Sequence, residues 1–226
     1  MSIKNGGANS DRINCGSGTS LDDLAAFTWM LWVYPTSDTG AQTHISKASA
    51  ATGRKSFERK STDVNDFDSI VNRVTTNAGA TTTGVNRPLN AWLFIALSYD
   101  GTDGPRVWTG NLTTPIVQAS YSARTVGVGT TRTDNASDLF IGNRDGTAEA
   151  FVGKISHVGA FNRRLTQGEI RSWQFNPRKM SGCILYMDLG FNGTSTQPDH
   201  SGNFNAGTVT GGTQDIHAPI RSYFTF

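Results

Sequence analysis

Two segments of this chain are apolar on both of their alternating faces, and no other feature constrains the fold as much. Residues 27–34 read FTWMLWVY and residues 92–99 read WLFIALSY. Each is short for a stable helix and rich in aromatic and β-branched residues, so each is expected to be a strand. Pro35 closes the first, and Asp100-Gly101 turns the second toward a returning strand at 106–109. Neighbouring strand residues point to opposite faces, which sets Phe27, Trp29, Leu31 and Val33 on one side and Met30, Trp32 and Tyr34 on the other. A sheet with water on one side does not carry such strands. The second face is therefore covered by the chain's own helix or C-terminal tail, which is the simpler expectation, or it meets another subunit or a ligand.

Shorter strand-like runs follow at 55–59, 67–74, 138–143, 152–161 and 184–189, each bounded by Gly, Asn, Asp or Thr. Many short strands between turn signals indicate an all-β sandwich or jelly roll of two antiparallel sheets. The Thr-, Gly- and Asn-rich stretches 75–86 and 123–135 are expected to be loops or hairpin tips. One helix is legible: Thr166-Gln167-Gly168-Glu169 has the spacing of a capping box, and Ile170 and Trp173 then share a face that should pack on the sandwich. At 226 residues, a single domain over 1–226 is the default.

Composition excludes more than it selects. A net charge of +2 from 20 basic and 18 acidic residues gives no field that would select nucleic acid or a membrane. The basic pairs Arg54-Lys55, Arg59-Lys60 and Arg163-Arg164 are expected to be solvated. Cys15 and Cys183 lie far apart and are expected to be small buried hydrophobes. The opening MSIKNGGANSDRIN has no apolar core of signal-peptide length, so synthesis in a cytoplasm without export is expected.

The order of motifs FTWMLWVYPTS, THISK, LNAWLFIALSYDGT and LFIGNRDGTAEAFVGKISHVGAFNRRLTQGEI resembles the laminin-G-like, concanavalin A-like lectin/glucanase fold over about residues 12–173. The segment 184–213 (ILYMDLGFNGTSTQPDHSGNFNAGTVTGGT) resembles the one that normally opens such domains, with Asp199, Ser201, Gly202 and Asn203 matching its turn. Coming last here, it implies either a circularly permuted domain in which residues 182–213 complete the sandwich, or the stub of a second copy.

The resemblance offers carbohydrate binding, adhesion, glucan hydrolysis and viral structure as functions, and residues must choose among them. Related glucanases carry two glutamates in a Glu-x-Asp-x-x-Glu strand. The glutamates here, Glu58, Glu149 and Glu169, have no such spacing, so no enzyme is expected. The resemblance also implies a calcium ion, for which Asp188, Asp199 and Asn203 are candidates, although Asp199 and Asn203 serve equally well as turn-capping residues. Relatives often have an aspartate where this chain has His157, which is expected to be a satisfied sheet residue rather than a ligand. Trp32, Trp108 and Tyr121 are the candidate aromatic platform for a sugar, with burial in the core as the competing reading.

The first functional reading is a non-enzymatic bacteriophage virion surface protein, a capsid decoration or tail-associated module partnered by virion subunits or by copies of itself. The second is a lectin-like carbohydrate-binding module. The tail APIRSYFTF at 218–226 carries Tyr223, Phe224 and Phe226, expected either to pack on their own domain or to dock on a neighbouring subunit.

Overall fold

The computed structural model describes residues 2–48, 54–59, 66–144, 149–190 and 196–220. In chain order its strands are β1 (Ser2–Gly6), β2 (Arg12–Asn14), β3 (Phe27–Pro35), β4 (Gln42–Ala48), β5 (Arg54–Arg59), β6 (Phe67–Val71), β7 (Ala78–Thr83), β8 (Leu93–Tyr99) and β9 (Arg106–Asn111). There follow β10 (Val117–Gln118), β11 (Ser120–Thr125), β12 (Leu139–Ile141), β13 (Val152–Phe161), β14 (Cys183–Met187), β15 (Thr196–Gln197), β16 (Gly207–Thr210) and β17 (Thr213–Asp215). The helix α1 (Gln167–Phe175) lies between β13 and β14.

The strands form two antiparallel sheets. The first runs β10-β9-β8-β3-β13-β1-β17, with β14 also paired to β13, and the second runs β11-β7-β6-β5-β4-β12-β2-β16-β15. Along one edge β13 pairs with β3 throughout, while its other edge is shared, β1 opposite residues 152–155 and β14 opposite 158–161. The last strands lie beside the first ones: β17 pairs with β1, and β16 with β2.

Both faces of the first sheet are covered. Phe27, Trp29, Leu31 and Val33 of β3 join Leu93, Ile95 and Leu97 of β8 in a cluster closed by Ile13, Ile45, Phe57 and Ile141 of the second sheet. On the opposite face Met30, Trp32, Phe94 and Phe161 form a second cluster with Ile170 and Trp173 of α1 and with Ala218 near the described end of the chain. The helix begins as its sequence requires: the Thr166 hydroxyl accepts the Glu169 amide at 3.3 Å, and the Glu169 carboxylate accepts the Thr166 amide at 2.8 Å.

Two expectations need correction. The stretch 75–86 is not all loop, for it contains β7, whose inward residues Ala78, Ala80 and Thr82 are buried; small side chains hid its alternation. Residues 123–125 likewise end β11. Nor are Lys55 and Arg59 solvated: alternation along β5 points both inward beside Phe57, and both are buried. Lys55 ion-pairs with Asp134, and Arg59 donates to the carbonyls of Asp38 and Gly40. The flanking loops thus supply partners to cations that reach the ends of the interior. Lys60 lies outside the described residues.

Three histidines are held neutral by burial. His44 packs among Phe57, Phe67 and Phe151, and burial, reinforced by Arg87 and Arg59, drives its pKa well below the usual imidazole value. His157 sits in a bulge of β13 with φ +43, edge-on to His217 at 4.1 Å between ring centroids. Burial, with His217 adding to it, takes His157 to about 2 and also lowers His217. The expectation of a satisfied sheet histidine holds only for its burial, because its two ring nitrogens have no hydrogen-bond partner among the described residues.

Unfolding releases these imidazoles to protonate near their ordinary 6.5, so acid favours the unfolded chain. Stability should fall as pH drops below 6.5, by about 1.4 kcal/mol per pH unit for each of His44 and His157. Thermal melts from pH 7.5 to 5.0 test this: the melting temperature should decline, and His44→Phe should make the decline shallower. A pH-independent melt would contradict it.

Candidate functional site

A cleft of about 340 Å³ opens at one edge of the sandwich, where the chain crosses from one sheet to the other. β10 is an edge strand of the first sheet and β11 an edge strand of the second, with only Ala119 between them. The buried Ala119 donates its amide to the Val107 carbonyl at 2.9 Å and pins the crossing. One wall is the β9–β10 hairpin, with Thr109, Asn111, Pro115, Val117 and Gln118; the other is the end of β7 and the loop after it, with Thr83, Val85, Asn86 and Pro88. Gly84 turns that loop at φ +65, where a side chain would be strained.

The hairpin wall is positioned from behind by α1. Gln174, fully buried, donates through Nε2 to the carbonyls of Asn111 and Thr114 at 2.8 Å each and accepts the Ile116 amide at 2.9 Å. A side chain on Gly110 would come within 2.5 Å of the Gln174 amide nitrogen, so this approach requires glycine. Nothing in the sequence singles out Gln174; its role follows from the helix lying across the outer face of the first sheet.

The side chains that line the cleft are uncharged. The carboxamides of Asn86 and Gln118 and the hydroxyls of Thr83 and Ser120 make no hydrogen bond with the described residues and remain exposed. The Asn111 side-chain oxygen Oδ1 is already taken, accepting the amides of Thr113 at 2.9 Å and Thr114 at 2.7 Å. Val117 is 59% exposed and gives the wall an apolar step. Such a surface can exchange hydrogen bonds with hydroxyl groups and pack against C–H faces.

The residues proposed from the sequence fall elsewhere. Trp32 and Trp108 are buried in the cluster beneath α1, with their indole N–H groups donating to the Gln174 carbonyl at 3.1 Å and the Ser98 hydroxyl at 3.0 Å. They complete the core and present no platform, because α1 covers the face on which they stand. Tyr121 lies beside the cleft, one residue beyond Ser120, but its ring packs on the inter-sheet core and its hydroxyl accepts the Val107 amide at 2.9 Å.

Asp188, Asp199 and Asn203 do not fit a calcium site. Asp199 spends both oxygens within its turn: Oδ1 accepts the amides of Tyr186 at 3.0 Å and Ser201 at 2.9 Å, and Oδ2 accepts the Asn205 amide at 3.0 Å and the Ser201 hydroxyl at 2.7 Å. The Asn203 side-chain amide donates to the Cys183 carbonyl at 3.2 Å and the Ser201 hydroxyl at 3.0 Å. Asp188 accepts the Gly190 amide at 3.3 Å. Among the described residues no group of three or more acidic, histidine or cysteine side chains is placed to hold a metal. The Asp199 carboxylate and the Asn203 amide are thus engaged within the turn itself. Tyr223, Phe224 and Phe226 lie outside the described residues.

The model of the concanavalin A-like lectin/glucanase superfamily, of laminin-G type, matches residues 5–171. The chain belongs to that superfamily. A structure from Bacteroides ovatus, of a protein with a proposed carbohydrate-binding role, superposes with a TM-score of 0.64 at 17% identity over 95% of this chain. This chain spans 63% of the length of that protein. The enzymatically active domain of bacteriophage CBA120 tailspike protein 2 superposes at 0.53 and 13% identity, over 74% of this chain and 27% of the other. At these identities the likeness is one of fold. No curated protein matches the chain in sequence.

Replacing Asp199 by Ala leaves three backbone amides without their acceptor and should destabilise the fold by about 3 kcal/mol. Adding calcium or EDTA should leave the melting temperature of the wild-type chain unchanged. A calcium-dependent rise in the wild type, lost in Asp199→Ala, would show that these residues do hold the ion.

Proposed function

We propose that this lectin/glucanase-superfamily chain is a carbohydrate-binding module that does not cleave its ligand, and that the ligand sits in the edge cleft. The observation that carries the reading is the cleft itself, an uncharged, hydroxyl- and amide-bearing surface with an apolar step, fixed from behind by Gln174. The fold shared with the Bacteroides ovatus protein supports it. Among the described residues no carboxylate lines the cleft, whereas glycoside hydrolysis needs two flanking the scissile bond.

The glutamates are engaged elsewhere. Glu58 pairs with Arg54 and, at 3.6 Å, with Arg144, which also holds Glu149 at 2.8 Å. Glu169 belongs to the cap of α1, where hydrogen bonds from Arg163 and Thr166 take its carboxyl down to about 2. A general acid needs the opposite shift. The meeting of Glu58 and Glu149 around one arginine is nevertheless a pairing that their sequence separation conceals, and it makes hydrolysis the reading to test against. Incubation with a panel of β-glucans should release no reducing sugar. Release that is lost in Glu58→Gln or Glu149→Gln would overturn the non-catalytic reading.

For the setting of this binding we propose the surface of a bacteriophage virion, with other virion subunits as neighbours. The fold shared with a phage tailspike domain supports that placement, as do two buried free cysteines that need no oxidising compartment. The aromatic tail, with Tyr223, Phe224 and Phe226, is the proposed attachment segment. Deleting residues 221–226 should leave the isolated protein's melt unchanged and abolish its incorporation into particles. Normal incorporation would remove the tail from this role.

A further inference from the structure

We propose that the edge cleft selects uncharged sugars and rejects acidic ones such as uronates; the proposal rests on the carbohydrate-binding reading of the same site. A sugar hydroxyl is both donor and acceptor. The carboxamides of Asn86 and Gln118 and the hydroxyls of Thr83 and Ser120 are of the same dual kind and make no hydrogen bond with the described residues. Val117, exposed between Pro115 and Gln118, offers the apolar contact that the C–H face of a pyranose needs.

An acidic sugar finds no counter-charge there. Among the described residues no Lys or Arg lines the cleft. Arg87 stands in the loop of the cleft wall between Asn86 and Pro88, but its side chain turns into the protein. Its guanidinium is buried and committed to Asp38 at 2.7 Å and to the Gln42 side-chain oxygen at 3.1 Å. Arg124, beyond the cleft on β11, is held by the Gly104 carbonyl at 2.6 Å and by Asp103 at 2.7 Å. A carboxylate entering the cleft would lose part of its hydration and gain only neutral partners, whereas a hydroxyl at the same place exchanges like for like. The discrimination comes from cations that are near in sequence yet spent elsewhere.

Isothermal titration of the full chain tests the proposal, with cellohexaose, xylohexaose, mannohexaose and hexagalacturonate as probes. At least one neutral hexamer should bind at least about tenfold more tightly than hexagalacturonate, and salt should not change its affinity. Asn86→Ala and Gln118→Ala should each weaken that binding by about five- to tenfold with the melting temperature unchanged, since both side chains are exposed and have no partner among the described residues. Gln118→Arg should narrow the gap by strengthening hexagalacturonate binding. Hexagalacturonate binding as tightly as every neutral hexamer would overturn the selectivity. Neutral binding that survives both alanine substitutions would overturn the placement in this cleft and leave the carbohydrate-binding reading standing. Failure of all four probes to bind would overturn the selectivity and the carbohydrate-binding reading together.

Discussion

The structure depends on one sheet that is apolar on both sides. Strand β3 offers Trp29 to the space between the sheets and Trp32 to the space beneath α1, and β8 does the same with Ile95 and Phe94. Burying large side chains of this kind is worth about 1.5–3 kcal/mol each, so neither face can be left to water without a cost larger than a domain's net stability. Two covers are therefore obligatory. The second sheet is one; the other is α1 with the chain that leads into β14 and, near Ala218, the last described residues. The helix has nine residues, too few to persist alone, and it holds its place because Ile170 and Trp173 fill the outer cluster.

The candidate site is a by-product of that second cover. Once α1 lies across the outer face, Gln174 reaches the turn after β9 and fixes it with three hydrogen bonds, which sets one wall of the cleft. The opposite wall follows from the crossing at Ala119, where one residue must carry the chain between sheets and their edges cannot close over it. The cleft and the core are linked through the buried Gln174 side chain. One wall of the cleft is thus tied to the core by Gln174, while the other is carried by the end of β7 and the loop after it, which holds Asn86.

How much was legible follows from which signals are local. The strand at 27–34, the strand at 152–161 and the Thr166–Glu169 cap could be read directly, because two-faced hydrophobicity and capping are written in neighbouring residues. The strand at 78–83 could not, because alanine and threonine facing inward carry almost no periodic signal. Lys55 and Arg59 looked solvated because their partners, Asp134 and the carbonyls of Asp38 and Gly40, come from loops distant in sequence. The site was hidden for the same reason. Asn86 and Gln118 are ordinary surface amides until the fold sets them across one opening, while Trp32 and Trp108 advertise themselves by type and prove to be core. Asp199 has the composition of a metal ligand and the geometry of a turn, and its oxygens are already counted out to amides and a hydroxyl.

Binding of an uncharged glycan at the edge of the sandwich, on a wall fixed by Gln174, is open to direct mapping. Amide hydrogen exchange, measured by mass spectrometry with and without a saturating neutral oligosaccharide, addresses it most directly because exchange reports place as well as occupancy. The account predicts added protection confined to peptides covering residues 83–88 and 109–120, with the strands β3 and β13 slow in both states. Protection that appears instead on the outer face of β4 and β5, around Glu58 and Glu149, or no change at the edge cleft under saturation, would contradict it.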